Sequence, residues 1–147
     1  MPNTEYNDLR IQYNSLFKDM TDIYHNIALK LEISDSAFLI LYAIVELGCG
    51  CTQKDIAQMY YMSKQTINSS IKNLEKSGYI TLKQDKGNNK QIFLTTLGEK
   101  LAQEKIKPVI KIENDVFAQM SFDESQKLLK LTRKYTDLLK EKTEVIL

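Results

Sequence analysis

Between Thr52 and Thr95 the hydrophobic period changes from helical to alternating, and this succession constrains the fold more than any other feature of the chain. Thr52 opens a short helix in which Ile56 and Ala57 face inward, with Asp55 placed to complete a capping box. A turn of about three residues around Tyr61, Met62 and Ser63 follows. Ser63 then caps a second helix, from Lys64 to about Ser77, which Gly78 ends. Beyond it Ile80 and Leu82 share one face of a strand, and Ile92 and Leu94 share one face of another. The intervening Gln84-Asp85-Lys86-Gly87-Asn88-Asn89-Lys90 is a polar turn whose Gly and Asn suit positive φ. Helix, tight turn, helix and one β-hairpin, in that order, predict a winged helix-turn-helix.

The flanks are helical. Leu9, Tyr13, Leu16, Met20, Ile23, Ile27 and Leu31 recur at spacings of three and four, which predicts an amphipathic helix over roughly residues 5–31. Ser34 caps a second helix that stops at Gly48 and is apolar nearly all round, so it is expected at the centre of the core. After the hairpin, Thr95 or Thr96 caps a helix from about Leu97. Pro108 lies inside that helix and is expected to kink it, because Pro removes a hydrogen bond and crowds the preceding turn. Ser121 and Glu124 form a capping box for a last helix with Leu128, Leu131, Tyr135 and Leu138 on one face. The fold class is therefore mostly α with a small β-hairpin wing. Residues 1–33 are read as an N-terminal dimerisation helix, 34–96 as the winged helix-turn-helix region and 97–147 as C-terminal dimerisation helices, all in one compact chain.

Composition narrows the function. With 43% apolar and 27% charged residues among 147, the chain reads as a soluble globular protein. Its longest apolar run, Ala37 to Val45, is too short to span a bilayer, and the first residues show no secretion signal, so a cytoplasmic location without membrane contact is expected. Lys and Arg against Asp and Glu number 3 and 7 over residues 1–51, 8 and 4 over 52–100, and 9 and 8 over 101–147, giving net −4, +4 and +1. The basic excess lies in the winged-helix third, which implies an anionic partner met there. One His and two Cys supply no zinc motif and no nucleophile–base set, and no phosphate loop is present. An enzyme, a metal site and a cofactor are therefore not expected.

The second helix of the pair carries the functional reading. At about 100° per residue, Ile67, Ile71 and Leu74 form one apolar stripe. Gln65, Ser69, Lys72 and Lys76 lie opposite, with Asn68 at the edge, Thr66 near the start, and Glu75 off that face. These polar types hydrogen-bond base edges and phosphates in a major groove. Gln65, Thr66, Asn68 and Ser69 are the expected base readers. Lys64, Lys72 and Lys76 are the expected phosphate contacts, joined by Ser63 and the free N–H groups of the helix start. Lys86 and Lys90 flank the hairpin tip and extend the contact to the minor groove or its phosphates. Double-stranded DNA is the expected partner.

These segments also resemble a known family. Ser34 to Leu47, then Thr52-Gln53-Lys54-Asp55-Ile56-Ala57, Ser63-Lys64-Gln65-Thr66-Ile67, Leu74-Glu75-Lys76-Ser77-Gly78-Tyr79-Ile80 and Leu94-Thr95-Thr96-Leu97-Gly98 are similar in order and spacing to the MarR family of bacterial transcriptional regulators. The resemblance covers nearly the whole chain. It implies a homodimer, mostly repressing, whose recognition helices enter successive major grooves of a pseudo-palindromic operator. It also implies release by a small aromatic or phenolic ligand, or in other members a response to cysteine oxidation. The wing departs from the family pattern: Lys86, Asn88 and Lys90 stand where arginines often follow the Asp, so bidentate readout is lost there. Tyr61 occupies a turn position where many helix-turn-helix proteins use Gly.

A winged helix of about 45 residues cannot cover the apolar stripes of both terminal helical regions, so a second copy is expected to bury them. Two-fold symmetry would then set two recognition helices about 34 Å apart, one turn of DNA. Cys49 and Cys51 are too close for a relaxed disulfide, and Lys54 is their one nearby cation. They leave a redox-responsive regulator as an alternative, beside a winged-helix protein-interaction module that binds no DNA. His25, one position beyond Ile23 and Tyr24, is expected to be structural or pocket-lining, since zinc needs more ligands.

Overall fold

Ser34 turns the chain from the first helix into the most apolar one. Its hydroxyl accepts from the Ala37 N–H at 3.1 Å, and the helix it caps runs to Leu47. In the computed structural model, which describes residues 4–60, 62–84, 87 and 89–147, the chain forms two compact units, Met1–Ile106 and Lys107–Leu147.

The first unit begins with α1 (Thr4–Lys30) and α2 (Asp35–Leu47). Glu32, at φ 58, makes the left-handed turn out of α1, and Gly48, at φ 91, ends α2 where a side chain would be strained. A strand follows, β1 (Cys51–Thr52), then α3 (Gln53–Tyr60) and α4 (Lys64–Lys76). Thr52 and Asp55 cap α3 reciprocally: the Thr52 N–H donates to the Asp55 carboxylate at 2.8 Å, and the Asp55 N–H to the Thr52 hydroxyl at 3.3 Å. The wing is β2 (Ile80–Gln84) and β3 (Lys90–Leu94), antiparallel, with Ile80 opposite Leu94 and Leu82 opposite Ile92.

The expected hairpin thus gains a third strand. β1 pairs with β3 through Cys51–Ile92 and Thr52–Gln91, giving the order β1-β3-β2. Its two residues carry no alternation of their own; the pairing with β3 defines it. The core of this unit gathers Ile40, Leu41 and Ile44 of α2, Ile56 of α3, Ile67 and Ile71 of α4, Ile80 and Ile92 of the sheet, and Ile106. Ala57, expected inside beside Ile56, is only half-buried.

Thr95 caps α5 (Thr96–Leu101), accepting from the Gly98 N–H at 3.0 Å and donating to the Gly78 carbonyl. The kink expected at Pro108 takes another form. Ala102–Ile106 is a π-helical turn, and Pro108 is the second residue of the next helix, α6 (Lys107–Gln119). The wider turn just before the proline is a place to absorb its missing N–H and the crowding of its ring.

In the second unit α6 packs with α7 (Phe122–Thr143). Ser121 and Glu124 form the expected capping box, and the Ser125 hydroxyl reaches the Phe117 carbonyl at 3.2 Å. None of the residues of α7 is buried within the single chain. Among the described residues no helix is long and apolar enough to cross a membrane.

Candidate nucleic-acid interface

Packing fixes which way α4 faces. Ile67, Ser70, Ile71 and Leu74 are all buried, and the Ser70 hydroxyl lies 2.7 Å from that of Ser36 at the start of α2. Ser63 sets the start of the helix: its hydroxyl accepts from the Thr66 N–H at 3.1 Å and donates to the Thr66 hydroxyl at 2.8 Å. With that stripe sealed inside, Lys64, Gln65, Thr66, Ser69, Lys72 and Lys76 are exposed and Asn68 is half-buried.

The exposed face has two flanks of different chemistry. Toward α3 and the wing lies a cleft of about 810 Å³ in which Lys54 of α3, Lys64, Asn68 and Lys72 of α4, and Lys90 of β3 converge. Toward the start of α2 lies a hollow of about 390 Å³ walled by Ser34, Ser36, Gln65, Thr66, Ser69, Ser70 and Asn73, every one an uncharged hydrogen-bonding side chain. A lysine-lined cleft on one side of α4 thus stands beside a neutral donor–acceptor surface on the other.

The expected site residues are thus placed in groups. Lys64, Asn68, Lys72 and Lys90 meet in the cleft; Gln65, Thr66 and Ser69 line the hollow; Ser63 is the cap; Lys76 stands exposed at the end of α4, lining neither. Lys86 lies outside the described residues, as do Tyr61, Asp85 and Asn88. Lys54, Asn73 and Glu75 are among the lining residues that the sequence did not point to. Lys54 precedes half-buried Ala57 by one helical turn and so shares its side of α3. Asn73 joins the neutral hollow. Glu75, set aside as off the face, lines the cleft, because its position about 80° from the buried stripe is the shoulder of α4 that the wing borders. Lys83, the other described lysine of the wing strands, is engaged elsewhere: its ammonium sits 4.9 Å above the Phe93 ring centre.

The two cysteines sit in different surroundings. Both are free, Cys49 exposed and Cys51 buried in β1. Burial, with the nearby Asp55 carboxylate and Cys49 adding to it, pushes the Cys51 thiol up from 9.0 to about 11, which disfavours its thiolate. The Nδ1 of His25 lies 2.9 Å from both carboxylate oxygens of Asp35, a contact that ties α1 to the first residue of α2. Among the described residues no group of three or more His, Cys, Asp or Glu could hold a metal.

The pair α3 and α4, the latter with a polar outward face, and a three-stranded sheet define a winged helix-turn-helix. Residues 31–90 match the model of the MarR family. No curated protein matches the chain in sequence. Solved structures share the fold. The chain is similar to NMB1585, a MarR family regulator from Neisseria meningitidis, at TM-score 0.77 and 17% identity over 92% of this chain and 96% of that one. Staphylococcus aureus MarR in complex with salicylate and kanamycin gives 0.69 and 20%, covering 95% of each chain. Staphylococcus aureus MepR, solved as a DNA complex, gives 0.68 and 23%, over 87% of this chain and 96% of that one.

Proposed function

We propose that the protein is a homodimeric, sequence-specific DNA-binding regulator that occludes a promoter and is released by a small aromatic ligand. The observation that carries this reading is the outward face of α4, bare and flanked by a lysine-lined cleft on one side and an amide-and-hydroxyl hollow on the other. Lys54, Lys64, Lys72 and Lys90 neutralise phosphates, and Gln65, Thr66 and Ser69 read base edges. The similar MepR was solved bound to DNA, which supports the partner. The similar MarR was solved with salicylate and kanamycin, and the first of these supports an aromatic effector.

Dimerisation supplies the second reader helix. Along α1, Leu9, Leu16 and Ile23 are more than half exposed, and in the second unit Ile112, Val116, Leu131 and Leu138 are exposed as well. Apolar stripes of this length bury themselves against a second copy, and the two-fold axis so created matches a pseudo-palindromic operator.

Enrichment of a random-sequence duplex library on the intact protein, followed by sequencing, tests the reading. The expected product is a pseudo-palindrome with half-sites about one helical turn apart. Enrichment of no motif, with no salt-dependent retention of any duplex, contradicts DNA binding and favours the protein-interaction reading of the fold.

A further inference from the structure

We propose that Glu75 is a specificity-determining residue, a carboxylate that weakens DNA binding in the wrong register and thereby widens the gap between operator and bulk DNA. The inference rests on the DNA-binding reading above and deepens it. Four lysines, Lys54, Lys64, Lys72 and Lys90, line the cleft beside α4, and Glu75 is the one carboxylate among the described residues that joins them. Lys64, Asn68, Lys72 and Glu75 follow one another along a single shoulder of the helix, so the carboxylate projects into the same space as the cations. Nothing engages it: among the described residues Glu75 is exposed and makes no salt bridge, although Lys72 lies one turn before it and Lys76 is its neighbour. Its charge is presented to whatever enters the cleft.

That placement acts differently on the two kinds of complex. Non-specific binding is almost wholly contact with phosphates, in registers that shift along the duplex, so a carboxylate in the phosphate-binding cleft opposes it in every register. The specific complex has one register, held by base contacts from the other side of α4. It can keep phosphates off Glu75 or set a cytosine amine against it, which a carboxylate accepts. Like charges brought together suppress wrong partners, and specificity is the difference between the two affinities.

The test is Glu75→Gln, which keeps the shape and removes the charge. Dissociation constants are measured by fluorescence anisotropy for two duplexes: the one enriched by the wild-type protein and a shuffled duplex of equal length and composition. Glu46→Gln, an equal charge change at an exposed site of α2 outside the cleft, is the control. The expected result for Glu75→Gln is about three- to fivefold tighter binding to the shuffled duplex, less than about a twofold change on the enriched one, and a gain that shrinks as salt rises. Glu46→Gln leaves the ratio unchanged. An equal gain on both duplexes, or no change on either, overturns the proposal while leaving the DNA reading intact. Wild-type protein that binds neither duplex overturns both.

Discussion

The hydroxyls of Ser36 and Ser70 lie 2.7 Å apart and share a hydrogen bond that pins the middle of α4 to the start of α2. Ser70 is 5% exposed, the one buried polar residue among the described residues, and it interrupts an otherwise apolar stripe. A buried hydroxyl held this way fixes the rotation of the helix, and with it which side chains face out. Ser70→Ala is expected to cost about 1 kcal/mol and to lower Tm by about 2–4 °C. An unchanged Tm in a thermal melt would show that the bond contributes nothing.

Of the glycines, Gly98 has the least room for a side chain. A Cβ there would run into the Tyr79 carbonyl, which is backbone and cannot swing aside. Gly98→Ala should therefore destabilise the fold by at least about 2 kcal/mol, seen as a lower urea midpoint with an unchanged slope. Wild-type stability in this variant would contradict the packing at the junction of α5 and the wing.

The apolar side of α1 calls for a hydrodynamic measurement. The wild-type protein is expected to sediment at twice its 17.0 kDa chain mass. Leu16 is 67% exposed in the single chain, so Leu16→Lys should leave the fold intact by circular dichroism while shifting the mass toward the monomer. A wild-type monomer at micromolar concentration would remove the two-fold arrangement of the reader helices.

Cysteine chemistry should separate the two thiols. With iodoacetamide near neutral pH, the folded protein is expected to label at Cys49 and to spare buried Cys51, whereas denatured protein labels at both. Because folding holds the Cys51 proton up to about pH 11 instead of 9.0, the folded chain binds more protons than the unfolded one across that interval, and stability falls as pH climbs through it. Equal labelling of both thiols by mass spectrometry would contradict the burial of Cys51.

Much of this was legible because caps and periods are local. Ser34, Ser63, Thr95 and Ser121 each cap the helix that their position announces, and the Ile67–Ile71–Leu74 stripe is buried as its spacing requires. The features that were not legible depend on partners distant in sequence. β1 exists by pairing with β3, some forty residues away. The π turn before Pro108 is one of several ways to accommodate a proline, and the residue alone does not choose among them. Glu75 and Lys54 enter the site because the wing and α3 border one shoulder of α4, which a helical wheel drawn for α4 alone cannot show.

The central claim is that the outward face of α4 meets the duplex, and the salt dependence of binding by Lys72→Ala tests it most directly. Compared with wild type, this variant should bind every duplex more weakly, and the slope of log K against log salt should flatten by about one unit. Gln65→Ala, on the neutral flank, should instead cost about 1–3 kcal/mol at one base-pair position and leave the slope unchanged. Affinity and slope equal to wild type in both variants would place the DNA, if any is bound, on another surface.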